Sequence, residues 1–287
     1  MIDDPFVAHR SLLFTVAYEM LGSAADAEDV LQESWLRWAD ADRDEVRDAR
    51  AYLVRIVTRQ SLNRLRTLSR SRVDYVGEWL PEPLLTSPDV AEDVELAESV
   101  SMAMLTVLET LGPTERAVFV LREVFDMPYA EIAEAVGKSS AAVRQIAGRA
   151  RGHVAARQPR VQVSRSEQRK VVDRFLHALQ TGKLQELMEI MAPDVVMITD
   201  GGGVVNASLV PIRGIETVAA VLAGANRLAL IETEAVWLNG APAGRIDIDG
   251  EPSAVSLVVE DGLVTRIYVV RNPHKLSRLG EAADLAR

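Results

Sequence analysis

The sequence predicts a multidomain chain: two small all-α domains, then a third α+β domain that carries an antiparallel sheet. Three observations carry this. Apolar residues recur at helical spacing through most of residues 6–160, interrupted by Gly and Pro. A segment rich in Pro and free of Lys and Arg divides the first helical stretch from the second. Beyond residue 160 strand-like runs follow one another, separated by Asn239-Gly240, Asp249-Gly250 and Asp261-Gly262, dipeptides suited to tight hairpins. The expected divisions are 1–72, a linker at 73–95, 96–160 and 161–287.

Composition narrows the function. The chain has 287 residues, 48% of them hydrophobic, enough for several real cores. It has no apolar run of membrane-spanning length and no N-terminal signal pattern, so a soluble, cytoplasmic protein with no membrane partner is expected. Zero Cys excludes disulfides and thiolate metal sites, and four scattered His make a metal site unexpected. The net charge of −10 looks wrong for a nucleic-acid binder, but it is unevenly spread. Residues 73–112 hold nine acids and no base, whereas 113–160 hold eight bases and five acids. Local charge decides binding, because the Debye length is only about 8–10 Å at physiological salt.

In the first segment, Phe6 to Leu21 is helical and Gly22 stops it. Ser23, with Asp26 three residues on, resembles a capping box for a helix over Ala24–Ala39. Ala27, Val30, Leu31, Ser34 and Trp38 can face inward, leaving Asp26, Glu28, Asp29, Gln32 and Glu33 as an acidic face that suits a basic partner. A charged loop spans Asp40–Asp48. The next helix, Ala49 to Arg70, belongs to a stretch with seven Arg and no acid between Ala49 and Val73. Arg55, Arg59, Arg66 and Arg70 share one face. Such a helix repels itself unless something anionic meets it, and the DNA backbone is the obvious candidate.

In the linker, Pro81, Pro83 and Pro88 break helices. Trp79, Leu80, Leu84 and Leu85 are too apolar for a free tether and are expected to dock on the protein. A helix is expected over Val94–Leu111, then Gly112-Pro113, a support helix over Glu115–Val124, and a turn at Asp126-Met127-Pro128.

Residues 129–154 read as a helix-turn-helix. Tyr129, Ile132, Ala133 and Val136 share one face, Gly137 suits a left-handed turn, and Val143, Ile146, Ala147, Ala150 and Val154 share the next. The outer face of the second helix carries Arg144 and Gln145, flanked by Arg149 and Arg151, donors that fit a major groove.

The order of these pieces resembles an extracytoplasmic-function sigma factor over about residues 6–157. DAEDVLQESWLRW resembles the region 2 helix that grips the β′ clamp helices of core RNA polymerase. ARAYLVRIVTRQSLNRLR resembles the helix that reads and melts the −10 element. LGPTERAVFVLREVFDMPYAEIAEAVGKSSAAVRQIAGRAR resembles region 4, which reads the −35 element and meets the β flap. The resemblance implies polymerase contacts at Asp26, Asp29, Gln32 and Glu33. It implies −10 contacts at Tyr52, Arg55, Arg59, Asn63 and Arg66, with a flipped-base pocket between the Asp40–Asp48 loop and the helix bearing Tyr52, Arg55 and Asn63. It implies −35 base contacts at Arg144, Gln145 and Arg149, with Lys138 and Ser140 on phosphates and Arg151 also at the −35 element. Tyr52 stands where the family often has Trp.

In the last third, helices are expected over Ser166–Leu179, Leu184–Met191 and Ile215–Ala223. Strands are expected over Val195–Thr199, Ile231–Leu238, Gly244–Ile248, Ser253–Glu260 and Leu263–Val270, with Pro193 turning the chain into the first. Helices followed by a meander give a sheet curled over helices, which resembles a SnoaL-like cone. Sigma factors with this extension show WLPEP, DGGG and Asn-Pro-Asp-Lys-Leu motifs. Here they are Trp79-Leu80-Pro81-Glu82-Pro83, Asp200-Gly201-Gly202-Gly203 and Asn272-Pro273-His274-Lys275-Leu276, with His274 in place of the Asp.

Relatives of the cone fold include enzymes, so Asp200, His177, Asp247 and Tyr268 are catalytic candidates by residue type. An Asp beside three Gly reads as a turn instead, and no catalysis and no cofactor are expected. The resemblance implies a sigma factor regulated by its own extension, through contact between that extension and the linker. Two other readings stay open at this point: a helix-turn-helix regulator whose C-terminal domain senses a small ligand, and an enzyme with a DNA-binding tether.

Overall fold

Asp4 accepts the Phe6 N–H and Pro5 opens helix α1 (Pro5–Ala8) of the computed structural model. The structure describes residues 4–43, 46–71, 74–158, 163–228 and 230–287. The expected divisions at 72/73 and 160/161, and the side chains of Arg70 and Arg72, lie outside the described residues.

Helix α2 (Arg10–Leu21) is buried from Leu12 to Leu21, so it forms the centre of the first domain rather than one wall of it. Gly22 ends it at φ 67°. Helix α3 (Ala24–Ala39) is capped by Ser23 and buries Ala27, Val30, Leu31, Ser34 and Trp38, the face its spacing predicts. Helix α4 (Ala49–Ser71) closes the domain with Leu53, Val57 and Leu65 inward.

The second set of helices departs from the expectation in two places. Val94–Leu111 is not one helix but α5 (Val94–Ser99) and α6 (Met102–Leu108). Ser101 breaks it, because its hydroxyl caps Met104 N–H and starts a new helix. The support helix α7 (Pro113–Phe119) begins at Pro113 and runs into a π-helical turn, Val120–Val124. Helices α8 (Tyr129–Val136) and α9 (Ser140–Ala155) form the expected pair, and Gly137 adopts φ 67°. One apolar cluster runs through both helical sets, from Phe6 to Val154, and takes in Leu285 from the far end of the chain.

The last third contains α10 (Arg165–Thr181), α11 (Leu184–Glu189), α12 (Ile215–Leu228) and a six-stranded sheet, ordered β2-β1-β6-β5-β4-β3. The strands are β1 (Met191–Asp200), β2 (Ile212–Arg213), β3 (Ile231–Leu238), β4 (Ala241–Ile248), β5 (Glu251–Glu260) and β6 (Leu263–Val270), and α13 (Pro273–Leu276) follows. β3 to β6 form the antiparallel meander, while β1 joins β6 in parallel. Pro193 does not precede β1, as expected, but lies inside it. It is accommodated where the register between Met191 and Val196 slips, so no ladder donor is missed. α11 stops at Glu189 and α12 continues to Leu228. The hairpin positions Asn239, Asp249 and Asp261 take φ of 53°, 55° and 51°, each followed by Gly at positive φ, as a type I′ turn requires.

The sheet has two apolar faces. Its inner face packs on α10 and α12 through Phe175, Leu179, Val218, Val255, Leu257 and Ile267. Its outer face packs Ala243, Ala254, Val258 and Tyr268 on Leu80 of the linker and Met102 of α6. The cone is therefore built against the helical part rather than hung from it.

Candidate nucleic-acid interface

On α9 the buried stripe Val143, Ile146, Ala147, Ala150 and Val154 turns the opposite face outward. Arg144, Gln145, Arg149 and Arg151 are exposed there, with Lys138 exposed and Ser140 half-buried at the start of the helix. Arg144 lies 5.6 Å over the Tyr129 ring, which steadies it without covering it. Arg151 meets Glu123 at 3.4 Å, an exposed pair of little energetic weight. This face is open.

The α4 face is not. Arg55 pairs with the Glu134 carboxylate of α8 at 3.1 Å, and Arg59 donates to the Glu134 carbonyl at 2.9 Å. The Glu134 carboxylate gives Arg55 an anionic partner within the molecule. Between them opens a cleft of about 490 Å³, lined by Asp42, Val46, Asp48, Tyr52 and Arg55 on one side and Met127, Glu131 and Glu134 on the other. Tyr52 is fixed there by Trp38, with ring centroids 5.8 Å apart, and by Arg55 at 5.2 Å. A cleft thus lies at the Tyr52 end of the place expected for a base pocket, and Asn63 does not line it. Eleven residues along a helix is about 16 Å, three turns away. Asn63 and Arg66 are exposed farther along α4. The α8 wall of the cleft had no signal in the sequence, because Glu131 and Glu134 read as solvated positions on a short helix.

The acidic face of α3 is partly answered by α4. Arg64 donates to Asp26 at 2.7 Å and reaches Asp29 at 3.2 Å, and Gln60 donates to Glu33 at 2.8 Å. The bond to Asp26 raises the Arg64 pKa. Gln32, Trp35 and Leu36 remain exposed, Leu36 by 62%. The Arg excess of α4 is therefore met in part by this protein's own carboxylates.

The linker docks, as its apolar content demands. Pro81, Glu82, Pro83 and Leu84 are buried and Leu80 is 1% exposed. Glu82 accepts from Ala24 N–H at 2.8 Å and Ala25 N–H at 3.3 Å, and the Ser23 hydroxyl donates to it at 3.2 Å. A carboxylate at the N-terminus of α3 meets orphan donors and the positive end of the helix dipole. Burial still pushes the Glu82 pKa up, against those bonds. Two residues earlier, Leu80 N–H donates to Asp200 at 2.9 Å. Asp200 also accepts from the Tyr75 hydroxyl at 2.6 Å, from Gly202 N–H at 3.0 Å and from Lys275 at 2.7 Å. Lys275 donates as well to the Leu80 carbonyl, and its ammonium lies 4.0 Å over the Trp79 ring. Asn272 donates to the Tyr75 hydroxyl at 2.9 Å and caps His274 N–H at 3.0 Å. The three motifs thus converge on one clasp. Gly202 is required there: at φ 61°, a Cβ would stand 2.2 Å from the Asn272 amide. His274 is exposed and its ring takes no part in the clasp.

A second junction, centred on Asn239, carries no signal in the sequence. Asn239, fully buried at the first hairpin tip, accepts from Leu84 N–H at 3.1 Å. It donates to the Tyr18 hydroxyl at 2.6 Å and to the Val100 carbonyl at 2.9 Å. One amide thereby joins the linker, α2, the α5–α6 break and the cone. Nearby, the Glu19 carboxyl is buried beside Arg116 and accepts from the Ser99 hydroxyl at 2.8 Å. Arg116 already pairs with Glu109. Burial pushes the Glu19 pKa up to about 8, so it is largely protonated at neutral pH.

The catalytic candidates do not converge. Asp200 is engaged in the clasp, His177 is exposed on the outside of α10, Asp247 caps Gly250 N–H at a hairpin tip, and Tyr268 is buried on the outer sheet face. Among the described residues no cluster of His, Asp and Glu could hold a metal ion, and no helix is long and apolar enough to cross a membrane.

Two family models match: Sigma-70 region 2 over residues 6–71 and Sigma-70, region 4 over residues 101–154. The chain is 36% identical over 291 residues to the ECF RNA polymerase sigma factor SigJ of Mycobacterium tuberculosis, covering 95% of this chain and 92% of that one. It is 30% identical over 286 residues to a probable ECF RNA polymerase sigma factor, SigI, of the same organism, covering 95% and 93%. Its fold matches the crystal structure of the M. tuberculosis extracytoplasmic function sigma factor SigJ with TM-score 0.77 and 33% identity, over 94% of this chain and 96% of that one.

Proposed function

The chain belongs to the extracytoplasmic-function sigma factors, and from that premise we propose how its parts divide the work of starting transcription at selected promoters. Residues 1–72 hold core RNA polymerase and the −10 element, 96–160 read the −35 element, and 161–287 regulate both through the linker at 73–95. The outer face of α3, with Asp29, Gln32, Glu33, Trp35 and Leu36 exposed and Asp26 half-buried at its edge, grips the β′ clamp helices; the second helical domain meets the β flap. Arg144, Gln145 and Arg149 read bases of the −35 element, with Lys138, Ser140 and Arg151 on phosphate. Tyr52, Arg55, Arg59, Asn63 and Arg66 serve the −10 element. The regulatory cone carries no turnover of its own.

The single observation that carries the regulatory reading is the course of the WLPEP segment. Glu82 caps the polymerase-facing helix α3, while Leu80, two residues away, is held by Asp200 and Lys275 of the cone. A change in the cone therefore reaches α3 through a buried, hydrogen-bonded strap. In the closed arrangement Glu134 engages Arg55 and Arg59 without burying them, so promoter melting requires α8 to leave α4. Polymerase and promoter shift the population toward the open form by binding it better.

The test is run-off transcription and pull-down with purified core polymerase, using the full chain and two truncations, after Leu276 and after Arg160. The full chain is expected to bind core and initiate, and the truncations to change both activities. Unaltered binding and transcription in both truncations would remove the regulator. Failure of the full chain to bind core would remove the division of labour altogether.

A further inference from the structure

The chain that leads into α8 carries two uncommon backbone features. The support helix ends in the π-helical turn Val120–Val124, and Asp126 stands at φ 46°. π-helical turns and non-Gly residues in the left-handed region are unfavourable and cluster at functional sites. Across this turn the Asp126 and Met127 carbonyls accept from Arg122 Nη1, at 3.3 and 3.0 Å. The Asp126 carboxylate meets the same nitrogen at 2.9 Å. Arg122 is thereby fixed, and its guanidinium carbon lies 5.0 Å from the centroid of the Tyr129 ring. The Arg144 guanidinium lies 5.6 Å from the same centroid. Tyr129 itself opens α8 and is half-buried, packed against the helical core. Among the described residues, no other exposed cation of α9 lies over a ring.

A free arginine side chain samples many rotamers, and ordering it on a base edge costs entropy. A ring beside the guanidinium removes part of that cost before DNA arrives. The contact uses the charge and not the N–H groups. Those groups stay available, since no protein acceptor takes them among the described residues. We propose that Tyr129 is a positioning residue for −35 recognition: it holds Arg144 ready for one base pair, and the anchored Arg122 steadies the ring from its other contact. The gain counts only where Arg144 finds its base. It therefore enters as discrimination at that pair and not as general affinity. A cation–π contact at an exposed site is weak, so the factor is roughly two- to fivefold. The inference rests on the assignment of Arg144 to a −35 base made above.

The experiment assembles the full chain with core polymerase, binds the holoenzyme to a pool of duplexes randomised across the −35 element, and sequences the bound fraction. Parent, Arg144→Ala, Tyr129→Leu, Tyr129→Phe and the double variant Tyr129→Leu/Arg144→Ala are compared. Arg144→Ala should flatten the preference at one base pair. Tyr129→Leu should weaken the preference at that same pair roughly two- to fivefold and leave the other pairs alone. Tyr129→Phe, which keeps the ring and loses the hydroxyl, should match the parent. In the Arg144→Ala background Tyr129→Leu should change nothing further. The proposal is overturned if Tyr129→Leu keeps the preference, weakens all pairs alike, or acts equally without Arg144, or if Tyr129→Phe behaves as Tyr129→Leu does. If Arg144→Ala flattens no pair, the base contact itself is wrong and the positioning role goes with it, so the two failures are told apart. Should Tyr129→Leu not fold, side-chain relaxation of the parent chain decides. The Arg144 Nε–H order parameter is expected above about 0.6 and that of Arg149 below it; equal values would overturn the proposal.

Discussion

Glu82 illustrates how a single residue acquires its role. In sequence it is a carboxylate between two prolines, which reads as solvated. In the fold it is 3% exposed and closes the N-terminus of α3. Glu82→Ala should therefore cost about 1–2 kcal/mol, the range for a lost N-cap, measured by urea unfolding. Asn239→Ala should cost more, since it strands Leu84 N–H and the Val100 carbonyl, at roughly 1–3 kcal/mol for each buried group left unpaired, while the Tyr18 hydroxyl keeps its bond to the Glu82 carbonyl. Glu19 gives a pH dependence with a definite sign. Its folded pKa of about 8 lies above the unfolded value of 4.5. The protonated form is favoured by folding, so the stabilisation is complete below pH 4.5 and is lost as pH rises through 8. Stability should fall by on the order of 1 kcal/mol per pH unit inside that window, and Glu19→Gln should flatten the slope. The apolar residues of the strap were legible in the sequence because Trp79, Leu80, Leu84 and Leu85 had to be covered. The Glu82, Asn239 and Glu19 roles were not, because each depends on what the fold brings from far along the chain.

At the scale of elements, the proposed function turns on the contact between α4 and α8. The Arg density of α4 was legible and so was its need for anions. What could not be read is that Asp26, Asp29 and Glu134 supply some of them within the molecule. Glu134→Arg should push α8 off α4 by like-charge contact with Arg55 and Arg59. Affinity for a single-stranded −10 oligonucleotide should rise several-fold, read by fluorescence anisotropy; no change would mean the cleft is already open. On α9, Arg144→Ala should lose about 1–3 kcal/mol of discrimination at one −35 base pair if the arginine is bidentate to guanine. Equal loss on all sequences would make it a phosphate contact. The helix-turn-helix was fully legible from its period and Gly137. The α5–α6 break was not, since Ser101 inside an apolar run gives no warning before its hydroxyl is seen to cap.

For the whole molecule, the C-terminal tail bears on the closed form as much as the cone does. After α13 it pairs with the linker through Ala283 N–H and the Leu85 carbonyl at 2.8 Å. It then buries Leu285 in the helical core and donates from Ala286 N–H to Thr15 at 3.0 Å. Removing residues 277–287 forfeits roughly 1.5–3 kcal/mol for Leu285 alone. Hydrogen exchange over Trp79–Leu85 should quicken accordingly. The sequence shows the three motifs but not that they meet, because nothing in one chain reveals which distant segments touch. The most direct test of the closed form uses a chain with no cysteine of its own. Spin labels at Thr67→Cys on α4 and Ala130→Cys on α8 report their separation with and without core polymerase and promoter. A single short distance in the free protein that lengthens in the initiation complex is expected. A distance that stays short while transcripts are made would contradict the account.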